Sequence, residues 1–512
     1  MNFYITTPIY YVNDIPHIGH SYTTIAADIM ARWKRLNNFN VFFLTGTDEH
    51  GAKISESAKA KGKDPQELCD EMSAKFRQAW KLLNISNDDF IRTTEKRHFV
   101  TVEKIVQTLF DKGLIFKKKY EGMYCVGCER FFAKKDLDEN GCCPFHKTKP
   151  VLQSEENYFF KLSSFQDALL ERITDINHKE HIDIQPEERR NEIIGKLKLG
   201  LEDISYSRSS TTWGIPLPFD KSQTAYVWVD ALINYITAIG YPNDNDKFKK
   251  YWPADVHLMA KDILWFHSVI WPAVLMGVQL PLPKTIYSHG FFTLNGNKMS
   301  KSLGNVISPQ ELVAKYGVDA ARYLTVTLIP FGPDGDISWQ GLTLKYNTDL
   351  ANNLGNLISR TLKMAEKNFN LKVPQVIPNL DLAKNVAQIL KEEFTPNMDS
   401  LQLHKATEIL QNAITLVNRQ IETDSPWKLA KTDINKLAVC IYSYLQATDI
   451  IAIYLLPFMP TLAEKIWHIT GTTGKIEDIT KKYFADCIIP ENGFSVSGAD
   501  LQIPGILFPR IS

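Results

Sequence analysis

The chain carries no excess of charge of either sign: 58 Lys plus Arg stand against 58 Asp plus Glu over 512 residues, a formal net charge of +0. That balance excludes a globally basic nucleic-acid binder, so any polyanion must be met by local patches. Long apolar runs are missing as well. The longest, near Ile450 to Pro460, reads as far too short to cross a bilayer. Met1 leads directly into a strand-like run, without the basic leader, apolar core and cleavage site of a secretory signal, so a membrane protein is not expected. Internal repeats and low-complexity tracts are absent, which excludes a solenoid. Cysteine is sparse: of seven, four crowd between 125 and 143, while Cys69, Cys440 and Cys487 are scattered. Such clustering favours a metal over a disulfide framework, and the expected compartment is the cytoplasm.

What is present is ordinary globular composition, 44% hydrophobic and 23% charged, in a length that suggests roughly three domains. Residues 3 to 12 are β-branched and aromatic, as in a strand buried on both faces, and 18 to 35 space Ile25, Ile29 and Trp33 at helical intervals. Strand and helix go on alternating through "VFFLTGTDEHG" and an amphipathic stretch carrying Phe76, Trp80 and Leu83. Alternation of this kind predicts an α/β, Rossmann-like domain on a parallel sheet, with its first half at 1–114. Cysteines, polar turns and "TTWGIPLPFD" mark an insertion at 115–222. The buried pattern returns at 223–290, and a loop and linker subdomain follows at 291–345. An all-α bundle is expected at 346–475, where Leu401, Ala406, Ile409, Leu410, Ala413, Leu416 and Val417 keep helical spacing. So do Leu437, Ile441, Tyr444, Leu445 and Thr448; in "DSPWK", Ser425 is expected to cap a helix with Pro426 at its first position. The tail, 476–512, has no clear packing.

Three constellations carry chemistry. His17-Ile18-Gly19-His20 falls at a strand-to-helix turn, where helix amides and the macrodipole favour anions and an imidazole N–H can donate to phosphate oxygens. A lone match of this kind would be read as a cap or a surface histidine. The second, "TLNGNKMSKSLGN" at 293–305, is a glycine- and asparagine-rich loop whose Lys298 and Lys301 can close over a polyphosphate. In the third, Cys125-x2-Cys128 is followed after 14 residues by Cys143-x2-His146, a tetrahedral zinc spacing with Cys142 spare. Four protein ligands make such a site structural and not catalytic.

"HIGH" and "KMSKS" together resemble the two signatures of class I aminoacyl-tRNA synthetases, and "TPIYYVND", "GTDEHG", "VWVDALINY" and "KDILWFH" are similar to the methionyl-tRNA synthetase family. The resemblance extends over nearly the whole chain. It implies that ATP, with Mg2+, is bound by His17, Gly19, His20, Asp262 and the loop residues Lys298, Met299, Ser300, Lys301 and Ser302. Among these His17, His20, Lys298 and Lys301 would be catalytic, the histidines on the phosphates and the lysines at the α-phosphate. It implies a methionine pocket of Ile9, Tyr11, Trp228, Ala231, Leu232, Tyr235, Ile263, Phe266 and His267, with Asp48 on the α-amino group. It also implies that the zinc knuckle lies in the insertion, and that Asn356, Arg360 and Trp427 read the anticodon of tRNA(Met), stacking and hydrogen-bonding unpaired bases. Aromatics at helical spacing, read one by one, are usually core residues.

One departure is Ala260 before Lys261-Asp262, where the family commonly has glycine; a positive φ there would strain an alanine. No insertion is large enough for a separate editing domain of the kind used by the isoleucine, leucine and valine enzymes, and without an appended dimerising domain a monomer is expected. Two other readings remain: a nucleotidylyltransferase of the same superfamily, against which the long helical region speaks, and a catalytically silent tRNA-binding paralogue.

Overall fold

The computed structural model describes residues 1–13, 15–125, 130–132, 137–145, 147–299, 306–486 and 489–512. Six strands, β1 (Asn2–Tyr11), β2 (Asn40–Asp48), β3 (Asp89–Arg92), β4 (Asp183–Gln185), β5 (Val256–Ala260) and β6 (Thr285–His289), form a sheet in the order β3-β2-β1-β5-β6-β4. Every pair in it runs parallel. Chain order reverses between β1 and β5, so the crevice beyond the carboxyl ends of these two strands is where an open α/β sheet binds its ligand. The aromatic and β-branched residues of β1 are largely buried on both faces, as a central parallel strand requires. Helix α1 (Ile18–Leu36) packs Ile25, Ile29 and Trp33 into the core, as their spacing predicts.

β4 lies inside the stretch expected to be insertion. Three residues are too few to carry a period, and only its pairing with β6 reveals it as the outer strand of the main sheet. The antiparallel part of the insertion comprises Ile115–Cys125, Arg130–Phe132, Val151–Phe160 and Ile204–Ser205. The other helices that position the site are α2 (Lys96–Asp111), α3 (Val227–Leu232) and α4 (Val318–Thr327).

Beyond them the chain is helical. Trp339–Lys345, the wider-turned Tyr346–Leu354 and α5 (Gly355–Phe369) follow one another without a break. The bundle continues with α6 (Leu403–Asp424), α7 (Pro426–Thr432), α8 (Ile434–Leu455), α9 (Pro460–Ile469) and α10 (Ile476–Asp486). With 22 residues α8 is long and apolar enough to cross a membrane by length and composition, contrary to the reading from sequence; its most apolar stretch is 89% buried, as in a core helix of the bundle.

Ser425 corrects a second expectation. It sits at φ 49° and ψ 57° and gives no side-chain cap to α7; its N–H closes α6 on Ile421 O and its hydroxyl donates back to Glu422 O, which turns it away from α7. The tail also finds a place. Ser495 and Leu501 are buried against the bundle, and Asp500 bridges to Lys372.

Candidate functional site

At the crevice beyond β1, one cavity of about 360 Å³ is lined by both histidines of the first signature and by most of the expected pocket. His17 is the N-cap of α1. Its Nδ1 accepts from Gly19 N at 3.1 Å, while His20 Nδ1 accepts from His17 N at 3.3 Å. The two rings stack at 3.8 Å, with Tyr10 and Phe76 against His20. Capping and ligand binding are therefore compatible here, because a ring whose Nδ1 accepts carries its proton on Nε2 and keeps that N–H for another acceptor. Burial pushes His17 down to about 4, and burial together with the neighbouring His17 takes His20 well below its ordinary value, so both are neutral donors at neutral pH. A Cβ on Gly19 would come within 2.9 Å of the His17 ring, which ties the glycine to this stacked arrangement.

The start of α1 is fastened just past the second signature, since Ile18 N donates to Ile307 O at 2.8 Å. Lys298 closes a short antiparallel pair with Thr293, and Met299 packs on the core. Ser300, Lys301 and Ser302 lie outside the described residues. Ala260 has φ −83° and ψ 159°, ordinary extended backbone, so its side chain brings no strain and the departure from glycine leaves the site intact. Asp262 and Ala260 both line the cavity.

Of the expected methionine pocket, Ile9, Tyr11, Asp48, Trp228, Ala231 and Leu232 line the same cavity, as do Tyr235, Ile263 and His267. Phe266 stands behind it, stacked on Trp228 at 4.1 Å. Register brings Asp48, the last residue of β2, beside Tyr11 of β1. His267 donates through Nδ1 to Ile263 O at 2.9 Å and so accepts at Nε2 from the Tyr235 hydroxyl at 2.7 Å. Burial lowers it to about 4 even though the Ile263 carbonyl favours its charged form, and the pair stays neutral beside an apolar wall. Glu49, fully buried next to Asp48, accepts from Thr47 Oγ1 and Arg92 Nε, each at 2.7 Å, and from the Thr94 hydroxyl. It is a strut for the end of β2, where Asp48 stands.

Sequence reasoning missed Tyr10, Tyr22, Thr23, Asn234, His289, Gly290, Phe291 and Phe292 in the lining. His289 ends β6, accepts at Nε2 from Thr23 Oγ1 at 2.6 Å and donates from Nδ1 to Gly290 O at 2.8 Å. Its place at the carboxyl end of a parallel strand was the signal available.

The other constellations lie elsewhere. Cys125 and Cys143 are buried together with Phe132, Leu137 packing on them; Cys128 and His146 lie outside the described residues. Among the described residues no group of three or more His, Cys, Asp or Glu is placed to hold a metal. The donor chemistry fits zinc, because Cys125 and Cys143 bring two thiols into one small core and thiolate is a preferred zinc ligand. On the bundle, Asn356 and Arg360 are exposed on α5, and Arg360 Nη1 reaches Glu422, in the last turn of α6, at 3.4 Å. Trp427, at the start of α7, is 50% exposed, unusual for a side chain that is mostly buried in folded proteins.

The family model described as tRNA synthetases class I (M) matches residues 3–148 and 134–362, and that of the anticodon binding domain of methionyl tRNA ligase matches 378–512. The chain is 46% identical over 99% of its length to the methionine–tRNA ligase of Caldanaerobacter subterraneus subsp. tengcongensis, covering 79% of that protein. It is 42% identical to that of Rickettsia conorii, over 99% of both. Its fold superposes on a Mycobacterium tuberculosis methionyl-tRNA synthetase solved with methionyl-adenylate at a TM-score of 0.92, with 37% identity over 100% of both chains. The chain belongs to the methionyl-tRNA synthetase family of class I aminoacyl-tRNA synthetases.

Proposed function

We propose that the protein activates L-methionine with ATP to methionyl-adenylate and pyrophosphate, and then moves the methionyl group to the terminal adenosine of tRNA(Met). The observation that carries this reading is the single cavity, lined both by the capped histidines and by a buried carboxylate among apolar and aromatic side chains. An adenylate needs that pairing: a phosphate end and an unbranched apolar end joined without a barrier. The methionine carboxylate attacks the α-phosphorus in line and pyrophosphate leaves; being ionised at neutral pH, it needs no general base. His17 and His20 hydrogen-bond phosphate oxygens through Nε2–H, and because they are neutral the compensating charge comes from Lys298, Lys301 and Mg2+ carried by ATP. Asp48 takes the α-amino group, and Trp228, Tyr235 and His267, backed by Phe266, hold the thioether. Asp262 binds the nucleotide ribose. Asn356, Arg360 and the exposed Trp427 read the anticodon.

ATP/pyrophosphate exchange across the standard amino acids is expected to run with methionine alone, and Lys301→Ala is expected to reduce it by about 10²–10³-fold. Trp427→Ala keeps that exchange and raises KM for tRNA about tenfold, the loss of one base-stacking platform. Exchange driven by leucine or isoleucine would overturn the pocket, and exchange with no amino acid would overturn the reaction.

Cys125, Cys128, Cys143 and His146 hold a structural zinc that ties the two ends of the knuckle together. Metal analysis of the purified chain is expected to find about one zinc per chain, lost in Cys143→Ala. A metal-free chain with full activity would refute it.

A further inference from the structure

Asp230 is a fully buried carboxylate with no part in the chemistry above, yet it sits in the middle of α3, between Trp228 and the pocket residues Ala231 and Leu232. Its Oδ2 meets His50 Nδ1 at 2.6 Å and its Oδ1 meets His98 Nε2 at 2.6 Å, with all three side chains no more than 3% exposed. His50 stands two residues after Asp48, on the loop that leaves β2; His98 is on α2. The far nitrogen of His98 lies 3.3 Å from Thr237 Oγ1, a contact that fastens the segment following α3. One carboxylate thus ties together the loop after Asp48, helix α2, and the short helices Val227–Leu232 and Asn234–Thr237 that carry the pocket wall.

The arrangement is costly without a use. A helix of six residues has little stability of its own, and its place depends on tertiary contacts. A buried carboxylate held by polar partners is no better for stability than apolar packing of the same volume, and the best-attested return on such a cluster is a fixed register. Register matters here because an unbranched amino acid held at its amino group by Asp48 is measured, along its length, by where Trp228, Ala231 and Leu232 stand. A wall that drifts by a fraction of an ångström admits a chain one methylene longer or shorter, and each methylene is worth only about 1–3 kcal/mol of discrimination.

We infer that Asp230, with His50 and His98, is a positioning cluster that sets the spacing between the amino-binding carboxylate and the thioether wall, and so the length of side chain the enzyme accepts. The inference rests on the methionine-activation reading. Asp230→Asn in the full chain keeps the shape and loses the charge. In pyrophosphate exchange it raises KM for methionine about tenfold, changes KM for ATP less than about twofold, and narrows the preference for methionine over S-methylcysteine and ethionine about tenfold. His98→Gln, which can still donate from the position of Nε2, stays within about threefold of the parent in preference, while His98→Leu follows Asp230→Asn. If both His98 variants behave alike, or if Asp230→Asn loses methionine and ATP affinity equally with the length preference intact, the cluster is only structural and the inference falls. If Asp230→Asn does not fold, the His98 pair decides by the same criterion. A parent protein that exchanges with no amino acid overturns the methionine reading instead, so the two failures are distinct.

Discussion

Replacing Arg322 with leucine is expected to lower the stability of the protein by about 3–5 kcal/mol, the range for breaking a buried, hydrogen-bonded ion pair. The side chain is completely buried on α4. Its Nη2 pairs with Asp28 Oδ2 at 2.7 Å and donates to Pro457 O at 3.0 Å, Nε donates to Phe458 O at 3.0 Å, and Nη1 to Leu83 O at 3.0 Å. Leucine would fill much of the volume but leave three carbonyls without donors and take one of the two guanidinium groups from Asp28, each unmade bond costing about 1–3 kcal/mol. Asp28 would keep Arg32 and Ser86. Burial raises its pKa, but Arg32, Arg322 and Ser86 together hold it down to about 2, so it is an anion that has to be matched. Because Asp28 lies on α1, two turns beyond His20, while Pro457 and Phe458 join α8 to α9, the loss should loosen the helix of the capped histidines from the bundle. Urea unfolding measures it: a midpoint unchanged from the parent would mean that the clamp contributes nothing.

The second large effect depends on pH. Asp449, fully buried on α8, has its pKa raised to about 8 by burial, despite bonds from Ser495 and Thr470 that lower it. The Thr470 hydroxyl lies within reach of Ile466 O and Trp467 O, so its proton has a carbonyl to go to and its oxygen can accept from a protonated Asp449 at 2.6 Å. An acid whose folded pKa exceeds its unfolded one stabilises the protein fully below the unfolded value, near 4, and that stability is lost as pH rises to about 8. The whole span is on the order of 5 kcal/mol, at 1.4 kcal/mol per pKa unit. Asp449→Asn keeps a donor for Thr470 and an acceptor for Ser495 and does not titrate. Its stability relative to the parent is expected to grow from pH 5 to pH 8 by about 1.4 kcal/mol per unit and then to level off. Thermal melts across that range check it, and a difference that does not vary with pH would show that Asp449 is not the titrating group. Gln446, one turn earlier on α8, holds the same tail segment through Phe494 N and Ser495 O, so this corner is where the tail should detach first at high pH.

How far the sequence reaches differs from element to element. The spacing of Ile25, Ile29 and Trp33 announces α1 because helix periodicity is a local property, and the stripe of Leu437, Ile441 and Leu445 announces α8 for the same reason. The two signatures are legible because their glycines, histidines and lysines stand at short fixed spacings. β4 is not, being too short for a period to register. Nor is the part played by His289, whose partner Thr23 is 266 residues away, or of Asp230, which meets His50 across 180. Ser425 reads as a cap from its neighbours and is turned away by a backbone angle that no composition records.

By itself, then, the sequence determined the alternation that makes a parallel sheet, the helical second half, the two signatures in their order and the spacing of the cysteines, all of them patterns within a few turns of chain. Only the tertiary structure decided which ring nitrogen each histidine of the first signature presents, that Ala260 sits without strain, that α8 is a core helix, and that one carboxylate joins both walls of the pocket. Those outcomes depend on which distant groups meet once the core has closed. Hydrogen-bond donors and acceptors far apart in the chain are paired by packing, and packing has no period to read.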